Sequence, residues 1–198
     1  MQTEIIPLCL ASYLIGSIPF GVVMARVQNL NIREHGSGNI GATNVARVMG
    51  KKAGLLTLFG DVLKGVIVVF GASSLYEKPQ LIALAGLMVF LGHLYSIFLK
   101  LKGGKGVATS LGLFSYIMPW ATLCATGVFS ICLWISGYVS IGSIMAAISL
   151  PLFAIFFKLP LPYIYLAGIV GLLTVQRHYD NILRLIEGNE AKFVKNRI

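Results

Sequence analysis

Charge is scarce in this chain. Of its 198 residues only 12% are Asp, Glu, Lys or Arg, and 7 are acidic. A soluble domain of this size carries about 25% charged residues, so a freely soluble globular domain is excluded. The acidic residues form no cluster, which excludes a carboxylate cage for magnesium or calcium. Cysteine is rare too. Cys9, Cys124 and Cys132 all fall in apolar runs without metal-ligand spacing, so they read as packing residues and give no disulfide framework. The three histidines, His35, His93 and His178, are followed five residues on by Ile40, Phe98 and Leu183. No His-x-x-x-x-Asp dyad exists, and with it goes the common His–Asp acyl-transfer chemistry. Neither a Gly-x-Ser-x-Gly elbow nor a His-Glu-x-x-His metal motif occurs. Before Arg26 the only charge is Glu4. An apolar start without a basic region predicts a retained first span with its N-terminus outside, and no cleaved signal peptide.

What the chain has in quantity is apolar sequence. It is 57% hydrophobic, with a mean hydropathy of +0.83. Apolar runs cover residues 5–25, 54–75, 80–99, 107–136, 139–157 and 161–176. Most approach the ~20 residues that cross a bilayer as helix. The fourth is too long for one upright span, and Pro119-Trp120 punctuates it. Placement of the basic residues decides between one tilted helix and two short ones. Arg26, Arg33, Arg47, Lys51 and Lys52 follow the first run, and Lys100, Lys102 and Lys105 follow the third. Arg177, Arg184, Lys192, Lys195 and Arg197 lie in the tail. If positive charge stays inside, all three segments share one side, and an even number of crossings separates Lys105 from Arg177. Splitting the fourth run supplies four. The expectation is an all-α, polytopic integral membrane protein. It has seven transmembrane helices in a single domain over 1–198, N-terminus outside and C-terminus cytoplasmic. Lys78 and Lys158 fall on the opposite side. Asp61 and Lys64, three apart inside the second run, read as a local ion pair. No internal repeat is evident, so a transporter of inverted repeats gains no support.

Polar chemistry is concentrated in the loops. Lys100–Ser110 reads KLKGGKGVATS. Glycines let backbone N–H groups turn toward one point, lysines add charge, and a helix starting near Gly106 would add its N-terminal N–H groups. Together these favour a phosphate-like anion, with Gly103, Gly104, Lys105, Gly106 and Thr109 as candidates. The plainer reading is a basic loop that orients its flanking helices. Lys105 is followed by Gly106 instead of Ser or Thr, so this is not a nucleotide-binding P-loop. The first loop, HGSGNIGATNVAR from His35 to Arg47, crowds Gly36, Ser37, Gly38, Asn39, Gly41, Thr43 and Asn44 together. It reads as a second oxyanion pocket, with Arg47 able to grip phosphate bidentately. The plainer reading is a polar re-entrant loop that satisfies its own backbone. In the tail, His178 and Asn181 share a helix face; the histidine could be a base, a phosphate ligand or a cap. Glu187 and Glu190 could pair with tail arginines. Ser143, after the link at Gly137, could donate to the same pocket or cap a helix. The helix count brings these segments to one side of the membrane, suggesting a single cytoplasm-facing site for phosphorylated ligands.

Three of these motifs, in order and over the whole chain, resemble the acyl-phosphate:glycerol-3-phosphate acyltransferases of bacteria. They are Gly36–Asn44 with Arg47, then Lys102–Thr109, then His178 with Asn181-Ile182 and Glu187. The tail motif matches more loosely than the other two. The resemblance implies a multi-pass enzyme of the bacterial inner membrane, acting on its cytoplasmic face. Such an enzyme transfers a fatty acyl group from acyl phosphate to the 1-hydroxyl of glycerol 3-phosphate, the first step of phospholipid synthesis. It implies Ser37, Arg47, Lys105, His178 and Asn181 as catalytic. The loop glycines and Asn39, Thr43, Asn44, Thr109, Ser143 and Glu187 are implied as substrate-binding. Membrane lipid is the surrounding partner. No cofactor, metal, nucleic acid or obligatory protein partner is implied, and the protein is expected as a monomer. A transporter for phosphorylated metabolites would need more polar lining than Asp61 and Lys64 provide inside the runs. A structural protein binding anionic headgroups would not need paired glycine-rich loops.

Overall fold

The computed structural model describes residues 2–193; Lys195 and Arg197 of the basic tail lie outside them. Ten α-helices and no strand occur among these residues. They are α1 (Gln2–Ser17), α2 (Phe20–Val27), α3 (Ala42–Met49), α4 (Lys51–Leu75), α5 (Pro79–Leu94), α6 (Val107–Ile117), α7 (Pro119–Ser136), α8 (Val139–Phe156), α9 (Leu161–Gln176) and α10 (Tyr179–Ile186). The chain forms two compact units, one up to Ile117 and one from Met118 onward.

In the first unit α1 packs on α5, α4 on α6, and α3 on α4. Glycine makes these crossings close. A Cβ on Gly92 of α5 would stand 2.3 Å from the Tyr13 carbonyl oxygen of α1. One on Gly112 of α6 would stand 2.0 Å from the Val62 carbonyl oxygen of α4. In lipid, helices gain little from hiding apolar side chains from water, so close backbone approach and polar contacts do the holding. The exposed residues agree. Leu55, Phe59 and Phe70 of α4 are turned outward, whereas Thr57, Asp61 and Lys64 of the same helix are buried. An apolar exterior around a partly polar interior suits a hydrocarbon solvent.

The second unit packs α7 on α8 and α8 on α9. It too faces outward with apolar side chains, including Trp134 at 77% and Phe156 at 75% exposure.

Five segments are long and apolar enough to cross a membrane: Glu4–Val27, Lys51–Leu75, Pro79–Leu99, Pro119–Ser136 and Val139–Phe156. Val107–Ile117 and Leu161–Gln176 are apolar but shorter. The fourth apolar run divides as expected, α6 ending at Ile117 and α7 opening on Pro119. The first run departs from expectation. It is two helices, broken between Ser17 and Phe20. Pro19 has no N–H to continue the ladder, and two carbonyls left at the break find side-chain donors. Ser96 Oγ donates to the Ser17 carbonyl at 2.6 Å, and Lys64 Nζ donates to that of Ile18 at 2.9 Å.

Candidate functional site

The first loop is built around one buried amide. Asn44 lies in the opening turn of α3 and is 2% exposed. Its Oδ1 accepts from the Ser37 N–H at 2.8 Å. Its Nδ2 donates to the carbonyls of Asn39 at 2.9 Å and His35 at 3.0 Å, with Ile32 at 3.4 Å. Gly36 sits at φ +62°, and a Cβ there would meet Asn44 Oδ1 at 2.2 Å. Asn39 Oδ1 accepts from the Gly41 N–H at 3.1 Å, turning the chain into α3. No side chain caps α3 at Gly41, so the N–H groups of Ala42 and Thr43 have no intrahelical acceptor and no cap. Beneath the loop, Ile32, Ile40 and Val45 pack with Ala25, Ala53 and Leu99. Burying each of the two isoleucines contributes about 1.5–3 kcal/mol. This floor holds the loop from below while Ser37 and Arg47 remain exposed.

Leu99 carries the floor across to the second loop, whose construction differs from the expected anion cradle. The Gly103 N–H donates to the Leu94 carbonyl and the Gly104 N–H to the His93 carbonyl, each at 3.0 Å. Both glycine donors therefore dock the loop onto the end of α5 instead of facing a ligand. Their lack of a side chain is needed for that contact. A Cβ on Gly103 would stand 2.0 Å from the His93 carbonyl oxygen, and one on Gly104 2.3 Å from His93 Nε2. Gly106, at φ +85°, lies against Phe90 and Leu94. Lys105 is half-buried, and the opening N–H groups of α6 come just after it. Thr109 does not line this face. It is fully buried, its hydroxyl without a hydrogen-bond partner among the described residues. Arg33 Nη2 donates to the Lys102 carbonyl at 2.5 Å, tying the two loops together. Sequence reasoning counted Arg33 only as positive charge; nothing in its neighbours signals a partner 69 positions away.

Under the second loop, Asp61, Lys64 and His93 form a buried cluster. Lys64 Nζ lies 2.8 Å from Asp61 Oδ1 and 2.8 Å from His93 Nδ1. The i, i+3 ion pair matches the sequence expectation; His93 as its third member does not appear in the spacing.

The second unit holds the tail motif. His178 is buried, and its Nδ1 lies 2.7 Å from the Thr174 carbonyl oxygen. A carbonyl only accepts, so Nδ1 carries the hydrogen and the neutral ring keeps its lone pair on Nε2. Asn181, also buried, donates from Nδ2 to Glu190 Oε1 at 2.6 Å. Arg184 Nε donates to Glu190 Oε2 at 2.8 Å. Burial would raise the Glu190 pKa. Hydrogen bonds from Arg184 and Asn181, with the Arg184 charge, outweigh it and hold the carboxyl below the usual glutamate value. Glu190 is thus the acid that fastens the tail, reached through a turn at Gly188 with φ +73°. Glu187, the acid picked from the sequence, is exposed at the end of α10. Ser143 is buried inside α8, whose N-cap is Tyr138, so the capping alternative for Ser143 is ruled out. No group of three or more His, Cys, Asp or Glu able to hold a metal occurs among the described residues.

The family model described as glycerol-3-phosphate acyltransferase matches residues 6–188. A glycerol-3-phosphate acyltransferase of Trichlorobacter lovleyi is 45% identical over 183 residues, 92% of this chain and 94% of that protein. One of Syntrophotalea carbinolica is 46% identical over 195 residues, covering 97% and 99%. The crystal structure of PlsY, an integral membrane glycerol 3-phosphate acyltransferase, is similar in its glycerol 3-phosphate form with a TM-score of 0.93. Identity is 40%, with 96% of each chain covered. Its lysophosphatidic acid form gives a TM-score of 0.89 at the same identity, covering 96% of this chain and 95% of that one.

Proposed function

This chain belongs to the glycerol-3-phosphate acyltransferase family, and from that membership we propose that its acyl donor is an acyl phosphate. The 1-hydroxyl oxygen of glycerol 3-phosphate attacks the acyl carbonyl carbon. The bond from that carbon to the phosphate oxygen breaks. Inorganic phosphate leaves, and 1-acyl-glycerol 3-phosphate, a lysophosphatidic acid, remains. The hydroxyl proton passes to a phosphate oxygen of the substrate, so no side chain forms an acyl-enzyme and no metal or cofactor is required. An acyl phosphate is a mixed anhydride whose leaving group needs little activation. Positioning and charge stabilisation supply most of the rate.

The observation that carries this reading is the Arg33–Lys102 hydrogen bond. It joins two loops that each carry a basic residue and lead into a helix N-terminus, which suits two substrates that both carry phosphate. Ser37 and Arg47 are assigned to the first loop's phosphate and Lys105, with the opening of α6, to the second's. Asn39, Gly41, Thr43 and the loop glycines shape these pockets. Asn44 and Thr109 act from beneath, through the loops. His178 and Asn181 are assigned to holding the reacting groups in line, on the strength of the tail motif; Glu190 fixes Asn181, and Ser143 and Glu187 keep supporting roles.

The whole chain, 1–198, is read as one multi-pass domain of the bacterial inner membrane. It has seven spans, cytoplasmic loops at both glycine-rich motifs, and no partner subunit. One of the seven, 11-residue α6, covers about 17 Å at 1.5 Å per residue, little more than half the ~30 Å hydrocarbon core. The loop before it is therefore drawn toward the lipid, where an acyl chain would lie.

Donor choice tests the reading. Purified protein receives glycerol 3-phosphate with palmitoyl phosphate, palmitoyl-CoA or palmitoyl-acyl carrier protein, and lysophosphatidic acid is quantified. Product from palmitoyl phosphate alone is expected. Product from either thioester at a comparable rate would overturn the donor assignment.

A further inference from the structure

We propose that the buried Asp61–Lys64–His93 cluster is a positioning device for the glycine-rich loop, setting the affinity for glycerol 3-phosphate through the His93 ring. The proposal rests on the assignment of that loop to a substrate phosphate, and it adds three residues that the family motifs do not contain.

The geometry starts from the ammonium. Lys64 Nζ has three partners: Asp61 Oδ1 at 2.8 Å, the Ile18 carbonyl at the proline break at 2.9 Å and His93 Nδ1 at 2.8 Å. An ammonium offers only hydrogens, so His93 Nδ1 accepts. Asp61 Oδ1 lies farther from Nδ1, at 3.4 Å, and holds the ring chiefly through Lys64. With Nδ1 accepting, the hydrogen of the neutral imidazole sits on Nε2. That edge faces Gly104, where an added Cβ would stand 2.3 Å from Nε2. The His93 carbonyl meanwhile takes the Gly104 N–H. One residue therefore meets Gly104 from two directions, and its ring angle is fixed by the ion pair.

Charge buried in a span is expensive, and removing one partner of a buried pair is strongly destabilising. Asp61, Lys64 and His93 are 2%, 3% and 4% exposed. Helix packing alone needs no such cluster, since an apolar trio of equal volume would fill the space. A ring held at a fixed angle against Gly104 does need it, because a loop shifted by 1 Å loses its aim at the phosphate.

The test separates the two edges of the ring. His93→Asn keeps an acceptor near the Nδ1 position and loses the Nε2 edge. His93→Gln reaches the Nε2 position. A third variant, Asp61→Asn with Lys64→Met, leaves His93 in place but removes its ionic support. Steady-state kinetics with palmitoyl phosphate and glycerol 3-phosphate are run beside calorimetric titration of glycerol 3-phosphate. In His93→Asn, KM and Kd for glycerol 3-phosphate rise about five- to tenfold, and KM for palmitoyl phosphate stays at the wild-type value. The Asp61/Lys64 variant shows the same split, and so does His93→Gln, which keeps the Nε2 edge but loses the acceptor that Lys64 holds. Wild-type affinity in both His93→Asn and the Asp61/Lys64 variant, or equal shifts for both substrates, would overturn the positioning role. A wild-type protein that binds glycerol 3-phosphate without turning over would overturn the donor reading alone, since the calorimetric comparison still judges the cluster.

Discussion

The Asn44 amide does by itself what a run of capping residues would otherwise do. It accepts from Ser37 and donates to carbonyls of the loop that precedes it. Ser37 and Arg47 stay exposed outside it, and the function proposed above falls on that hydroxyl and that guanidinium. His178 is arranged on the same principle. Its Nδ1 is committed to the Thr174 carbonyl, which fixes the ring, and the role proposed for it falls on the Nε2 edge. If that edge aligns substrate instead of abstracting its proton, His178→Ala lowers kcat about 10²-fold and leaves the pH profile of kcat/KM unchanged. Complete loss restored by added imidazole would show a histidine base instead.

Helices and loops divide into those visible in the sequence and those set by distant contacts. Pro119 ends one helix and opens the next, and the structure breaks there as hydropathy and charge placement required. The start of α6 after Gly106 was equally legible, because glycine followed by an apolar run is a local signal. The break at Ile18–Pro19 was not. Its cost is met by Lys64 and Ser96, 46 and 79 positions away, so no local pattern announces it. The direction of the Gly103 and Gly104 N–H groups was hidden for the same reason. Glycine-rich composition signals close approach, but only the fold shows that the neighbour is the end of α5. Of the two acids read as partners of tail arginines, Glu190 pairs with Arg184; that it also holds Asn181 depends on the turn at Gly188 and was not legible. Helix orientation yields to labelling. In a variant lacking the three natural cysteines, single cysteines at exposed Lys52, Lys78 and Lys158 meet a membrane-impermeant maleimide. Labelling of Lys78→Cys and Lys158→Cys in intact cells, with Lys52→Cys labelled only after lysis, is expected for seven spans. Protection of Lys158→Cys would mean that the fourth run crosses once.

Across the described residues an apolar exterior surrounds a few polar assemblies in the interior and loops. The proposed reaction holds two substrates by their phosphates and passes the acyl group directly between them without metal. Release of inorganic phosphate tests this most directly. Purified protein is given palmitoyl phosphate with and without glycerol 3-phosphate, in excess chelator, beside Lys105→Ala. Release is expected to need both substrates, to survive the chelator and to fall at least about 10²-fold in Lys105→Ala. Release at an equal rate without glycerol 3-phosphate, or its abolition by the chelator, would contradict it.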